Sequence, residues 1–214
     1  MTVSDGEHFA LSRISPCMYQ QLRDHIKNHI PLSNIEFEAI CRVMERASFK
    51  KREALVTAGS SCEHFYFVLS GSLRTYTTDD RGHEHIFHLA FEDWWTADLF
   101  SFITGDVAFF SIEALENTEV LSIHRDDYEV LLSNYPKFER FFRLLMQNAY
   151  VASQKRTMDI MSLSAEKRYL DLVRRYPKME LRVAQHHIAS FLGITPEALS
   201  RIKRSLIEKR KTAQ

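Results

Sequence analysis

Residues 182–206, RVAQHHIASFLGITPEALSRIKRSL, allow little other than two short helices joined by a tight turn. Ile188, Ala189 and Leu192 share one side of the first helix. Gly193 stops it, because the left-handed conformation that ends a helix costs glycine least. Thr195 suits the N-cap of the second helix, and Pro196 suits its first position, where a missing N–H removes no bond. Leu199, Ile202 and Leu206 then advance by three and four along a buried side, with Glu197, Ser200, Arg201 and Arg204 facing solvent. Counted from Gln185, a small residue comes fifth (Ala189), glycine ninth (Gly193), and apolar residues fifteenth and eighteenth (Leu199, Ile202). A helix-turn-helix needs that spacing: the small residue lets the helices approach, and the apolar pair fixes the second helix so that its polar face can enter a major groove. The plainer alternative is an ordinary helical hairpin.

Charge favours the first reading. The chain of 214 residues has formal net charge +0, but residues 154–214 hold 14 Lys+Arg against 6 Asp+Glu, a net of +8, and the remainder carries −8. A basic end on a neutral chain suits an anionic partner for that end alone. The length suits one large or two small domains. No apolar run is long enough to span a membrane, and the polar N-terminus does not read as a signal peptide. Cys17, Cys41 and Cys62 form neither a CxxC pair nor a closed disulfide set, which fits a reducing cytoplasm and argues against an iron–sulfur cluster. No nucleophile–base pairing and no glycine-rich nucleotide loop supports an enzyme, and no cofactor is expected.

In chain order, Ser15-Pro16 caps a helical pattern to about His29. Pro31 interrupts it, and Ser33 with Glu36 makes a capping box ahead of Ile35, Phe37, Ile40, Val43 and Met44. From about Ala47 to Ile123 the period is two. Residues 48–56 read as one strand, Phe65 to Leu69 as a buried strand, and Leu73 to Thr77 as its hairpin partner across Ser70-Gly71-Ser72. After a turn at Asp79-Asp80-Arg81-Gly82, His83 to Leu89 alternates again, and Ser111 to Ile123 supplies at least one further strand. Such strands predict a rolled barrel or sandwich. Asp126 opens a short helix, and Pro136 opens a long one to about Ser162, with Phe138, Phe141, Phe142, Leu145, Ala149 and Ala152 at steps of three and four. A helix of that length is expected to pack on a second copy of the chain; the alternative is that it lies on its own β domain. Ser164 caps a further helix to Tyr176, which places the hinge near residues 162–164. The expected fold is α+β: a β-roll (jelly-roll-like) sensor with flanking helices over 1–135, a dimerisation helix over 136–162, and a helix-turn-helix domain over 163–214.

That order of parts resembles the Crp/Fnr family of bacterial transcription regulators over nearly the whole chain. The matching segments are Phe65-Tyr66-Phe67-Val68-Leu69-Ser70-Gly71, Ala114-Leu115-Glu116-Asn117-Thr118-Glu119-Val120-Leu121, and Ile188-Ala189 through Leu199-Ser200-Arg201-Ile202. The resemblance implies a homodimer that binds a near-palindromic operator in double-stranded DNA, with RNA polymerase as a further partner and the β-roll as sensor. Two departures stand out. Members that bind cyclic AMP carry Gly-Glu and then Arg-Ser or Arg-Thr around the cyclic phosphate. The corresponding places here read Glu92-Asp93 and Ala108-Phe109, and no arginine lies between Arg81 and Arg125. Asp93 offers a shorter carboxylate, but Ala108 offers no cation for a buried phosphate, so cyclic AMP is not the expected effector. The family's wing after the second helix is also expected to be missing, since only Ile207 to Gln214 follow.

The resemblance places Arg201 where a guanine is read and Glu197 where a cytosine amino group is accepted. Pro196 replaces an arginine, so the operator should differ from the usual one. Ser200 is a secondary base contact, while Thr195, Lys203 and Arg204 are expected on phosphates. For the sensor, Asp93, Trp94, Trp95, Ala108, Phe109 and Phe110 are the pocket candidates; these rings either line a site for an apolar or aromatic ligand or fill it as core, and core is favoured. His83 and His85 share a strand face and could bind metal, but no third ligand is evident and none is predicted. The competing functions are a β-roll interaction module with incidental basic helices, and a metal-dependent β-roll protein.

Overall fold

A computed structural model describes residues 19–212. The Ser15-Pro16 cap and Cys17 lie outside the described residues. Helix α1 (Gln20–Lys27) buries Leu22 and Ile26. Helix α2 (Asn34–Val43) begins with the capping box: Ser33 accepts from the Glu36 backbone N–H, and the Glu36 carboxylate accepts from the Ser33 N–H at 2.8 Å. It runs without a loop into β1 (Met44–Phe49). The strand expected over 48–56 is therefore two. Arg52 takes a left-handed φ of 71°, and a turn over 50–53, closed by the Glu53 N–H on the Lys50 carbonyl, separates β1 from β2 (Ala54–Val56).

Then follow β3 (His64–Ser70), β4 (Leu73–Thr78), β5 (Glu84–Ala90), β6 (Trp95–Thr96), α3 (Leu99–Thr104), β7 (Ser111–Ala114) and β8 (Thr118–His124). Two four-stranded antiparallel sheets result, in the orders β1-β8-β3-β6 and β2-β7-β4-β5. Their facing sides enclose Phe65, Phe67, Leu73, Ile112, Leu121 and Ile123. This is the β-roll the alternation predicted, with α3 added where the sequence showed only an aromatic stretch.

Helix α4 (Arg125–Asn134) is capped by His124 rather than opened by Asp126. Helix α5 (Pro136–Ser162) has the expected bounds, but its two halves differ. Phe138, Phe141 and Phe142 are buried in the chain's own roll, with Trp95 5.2 Å from Phe142. These rings were expected on a partner copy. Their length suits the gap left between the sheets and α4, so they complete the roll's core. Beyond Met146 nearly all of α5 is exposed except Arg156 and Asp159.

Helix α6 (Ala165–Arg175) is capped by Ser164 as expected, and a short α7 (Met179–Arg182) precedes α8 (Gln185–Leu192) and α9 (Pro196–Thr212). Tyr169, Leu172, Met179, Ile188, Leu192 and Leu199 form a second core that is continuous with Ile86 and Leu89 of the roll. The helical unit thus sits against β5. Helix α9 runs to Thr212, the last described residue.

The Ser70-Gly71-Ser72 turn needs glycine for two separate reasons. Gly71 has φ 91°, and a Cβ there would lie 2.4 Å from Thr118 Oγ1 and 2.7 Å from the Asn117 carbonyl. Gly82 has φ 81° but nothing within 4 Å. Gly82→Ala is expected to cost about 1–2 kcal/mol, the left-handed penalty alone. Gly71→Ala adds overpacking against backbone and is expected to cost at least about 1 kcal/mol more. Urea unfolding of the two variants checks the difference; equal losses would contradict the contact argument.

Candidate nucleic-acid interface and sensor cavity

Gly193 takes φ 68° and closes α8, and the Thr195 hydroxyl accepts from the Ala198 N–H at 3.2 Å to open α9. Ala189 and Leu199 are fully buried between the helices, as a close crossing requires. Glu197, Ser200, Arg201 and Arg204 then lie exposed on one face of α9. The Glu197 carboxyl is held below its usual range by its own backbone N–H, by the Thr195 hydroxyl and by the Arg201 charge. Among the described residues no carboxylate stands within ion-pair distance of Arg201, and its side chain is exposed to solvent. Lys203 departs from the phosphate role expected of it. It turns inward to Glu180 at 2.6 Å, and that carboxylate also accepts from the Tyr169 hydroxyl at 2.8 Å.

Two arginines lock this unit to the roll. Arg182 of α7 donates to both Glu92 oxygens at 2.7 and 2.8 Å, to Glu116 at 2.7 Å and to the Gly71 carbonyl at 2.8 Å. The Glu92 bonds are the main reason its pKa is raised. Arg74 of β4, buried in the roll, pairs with Glu84 and Glu113 and reaches His187 Nε2 of α8 at 2.9 Å. An arginine can only donate, so His187 accepts there and is neutral. The Ser190 hydroxyl accepts from the Ile86 N–H at 2.9 Å and donates to the Glu84 carbonyl at 3.1 Å.

A cavity of about 1190 Å³ lies between the roll, α5 and the helical unit. Trp94, Trp95, Phe110 and Asp93 are in its wall. Ala108 and Phe109, the other two expected pocket residues, are not. Ala108 is buried in the roll, with its backbone bonded to Gly59 and Ser60, and Phe109 turns outward onto Phe100 with ring centres 4.4 Å apart. Asp93 occupies an exposed left-handed turn, φ 67°. The acid held within the roll is Asp98, 1% exposed, which caps α3 through the Ser101 N–H and accepts from the Phe110 N–H at 2.8 Å. The choice between filling and lining therefore divides by residue. Phe65, Phe102 and Phe67 are core. Trp94 crosses Tyr176 of the helical unit edge-on at 5.6 Å.

Three cavity residues were not legible in the sequence: His25, His88 and Arg156. His88 pairs across the sheet with Thr75 and stands 5.2 Å from Trp94. Burial, and then the Arg156 charge, push its pKa down to about 4. His83 and His85 both turn to Asp79, at 3.5 and 2.9 Å. Among the described residues no three His, Cys, Asp or Glu side chains converge where a metal ion could sit.

The family model for the cyclic nucleotide-binding domain matches residues 46–135, the roll itself. The chain is 28% identical over 187 residues to the fumarate and nitrate reduction regulatory protein of Vibrio cholerae, covering 80% of this chain and 72% of that one. It is 25% identical over 218 residues to the regulatory protein HlyX of Actinobacillus pleuropneumoniae, covering 94% and 88%. In fold it is similar to FixK2 of Bradyrhizobium japonicum, with TM-score 0.68, 20% identity and coverage of 78% and 86%. It is likewise similar to a chain from Eubacterium rectale assigned to the Crp/Fnr family of transcriptional regulators, with TM-score 0.66, 22% identity and coverage of 85% and 88%. In fold the chain is similar to these regulators over most of its length. The joint between roll and helix-turn-helix holds Arg74, Arg182, a neutral His187 and Ser190 beside the apolar contacts of Ile86 and Leu89. No described helix is long and apolar enough to cross a membrane.

The joint and cavity are acid-sensitive. Burial is the first cause that lowers the pKa of His25, His88 and His187 to about 4, followed by the charges of His29, Arg156 and Arg74 respectively. The unfolded chain takes up these protons near the ordinary value of 6.5, and the folded chain does not until about 4. Stability from these groups is therefore complete above about pH 6.5 and declines as the pH falls toward 4. The melting temperature is expected to drop across that interval, and less steeply in His187→Gln, whose amide oxygen still accepts from Arg74. Identical slopes would show that His187 is not part of the effect.

Proposed function

We propose that the protein is a homodimeric, sequence-specific DNA-binding transcription regulator whose α9 helices enter successive major grooves of a near-palindromic operator. The single observation that carries this is the face of α9: Glu197, Ser200, Arg201 and Arg204 are exposed together on a helix whose opposite side is anchored by buried Leu199. An unpaired arginine one turn from an acid suits bidentate contact with guanine beside a cytosine. Arg204 and Thr195 suit phosphates, and Lys203 contributes through Glu180 to the position of α9.

The exposed half of α5 supports the dimer. Leu144, Val151 and Met158 recur every seven residues, with Gln147, Gln154 and Met161 three further on each time. Val151, Met158 and Met161 are 64%, 66% and 83% exposed. This spacing suits the seam of a two-stranded coiled coil, with polar glutamines that would fix its register at some cost in stability. The absence of a cation at Ala108, whose side chain is buried, supports a sensor that does not take cyclic AMP in the family's usual way. The relatives named above are regulatory proteins, which favours a regulator over an enzyme.

Selection from a random DNA pool is expected to yield a two-fold symmetric consensus. Arg201→Ala should relax one base pair in each half-site, at a cost of about 1–3 kcal/mol per contact. Val151→Glu should give monomers by sedimentation and abolish selection, because like charges would face each other across the seam. A consensus without symmetry, or one unchanged in Arg201→Ala, would contradict the proposal.

A further inference from the structure

Arg156 projects from α5 into the cavity wall. Its guanidinium donates to the carbonyls of Phe87, Ile86 (3.3 Å) and Phe191 (3.0 Å) and lies 4.2 Å over the Phe191 ring. All three acceptors are neutral. Among the described residues no carboxylate stands within ion-pair distance, and burial is the one cause that lowers its pKa. Every other arginine that joins the two units has an acid: Arg182 has Glu92 and Glu116, and Arg74 has Glu84 and Glu113. A half-buried guanidinium without a counter-ion is costly unless something anionic visits it. Three of its five N–H groups are engaged; the Nε–H and one Nη1–H remain, and because these diverge a carboxylate takes a single charge-assisted bond from one of them.

A second observation is independent of the first. His25 Nε2 and Trp95 Nε1 are buried without any hydrogen-bond partner, and both residues are in the same wall. Orphaned polar atoms around one cavity mark a place where a bound molecule or water completes the bonding. Between these polar points the wall is made of rings, among them Trp94, Phe110, Tyr176 and Phe191. Such a surface favours a flat aromatic body by stacking and edge contacts. The volume is ample for a ligand of ordinary size.

We infer that this cavity binds an aromatic monocarboxylate, with the carboxylate on Arg156 and the ring system among Trp94, Phe110 and Phe191. A ligand so placed touches α5, the roll and α8 at once, and it binds better when the three are docked than when they are apart. It would therefore shift the protein toward the docked arrangement.

The test uses the purified full chain without DNA, so its outcome is separate from that of the DNA-reading proposal. Calorimetry with 2-naphthoate, 2-naphthamide and decanoate compares acid with neutral isostere and aromatic with aliphatic body. Saturable binding of naphthoate is expected, with naphthamide and decanoate at least about tenfold weaker, as loss of a charge-assisted pair or of ring contacts implies. Arg156→Gln should lose about tenfold for naphthoate and leave naphthamide unchanged. Because Arg156 also holds carbonyls of β5 and α8, Ala152→Trp serves as a second variant. It narrows the cavity from α5, leaves Arg156 in place and should weaken naphthoate by a similar factor. Failure of naphthoate to bind, equal binding of acid and amide, or tighter binding of decanoate would each overturn the inference.

Discussion

Strand β5 ends the second sheet, and its outer backbone groups have no neighbouring strand. An open edge of this kind must be covered or it recruits another chain. Here the cover comes from the C-terminal half of the molecule. Ser190 satisfies the Ile86 N–H and the Glu84 carbonyl with one hydroxyl, and Arg156 takes the Ile86 and Phe87 carbonyls. Neither helix α8 nor helix α5 pairs as a strand would, so the sheet ends there. The position of the helix-turn-helix follows from this need of the roll.

The same docking explains where the charges are. Arg182 and Arg74 stand either side of the covered edge, each shared between two glutamates of the roll, and their guanidinium forks satisfy backbone or ring acceptors as well. The partly exposed Arg182 pairs stabilise modestly, on the order of 1 kcal/mol each, but they fix orientation, while Arg74 itself is buried. The joint combines the apolar contacts of Ile86 and Leu89 with these polar bonds, and both lie beside the cavity.

Elements whose signal is local were legible in the sequence. The Ser33–Glu36 box, the Gly71 turn, the Pro136 start and the Gly193-Thr195-Pro196 junction each depend on residues within a turn of one another, and each stands where expected. The break at Arg52 was missed because a non-glycine residue in the left-handed region carries no signal. Asp98 did carry one: an aspartate three residues ahead of Ser101 is an N-cap pattern, hidden among aromatic neighbours. The cavity was not legible, since residues 25, 88, 156 and 191 meet only through tertiary packing. The phenylalanines of α5 show the limit of periodicity, which identifies an apolar face but not the surface that covers it.

Ser190 and its neighbours close the β5 edge and so hold the helix-turn-helix on the roll. Native-state amide exchange at Ile86 tests it directly, because that N–H has Ser190 as its bond partner. Ile86 is predicted to be protected in the native chain and to exchange about tenfold faster in Arg182→Ala, while the Val68 N–H, bonded to Trp94 inside the roll, keeps its rate. An Ile86 amide that exchanges at the rate of an uncovered edge in the native chain would contradict the account.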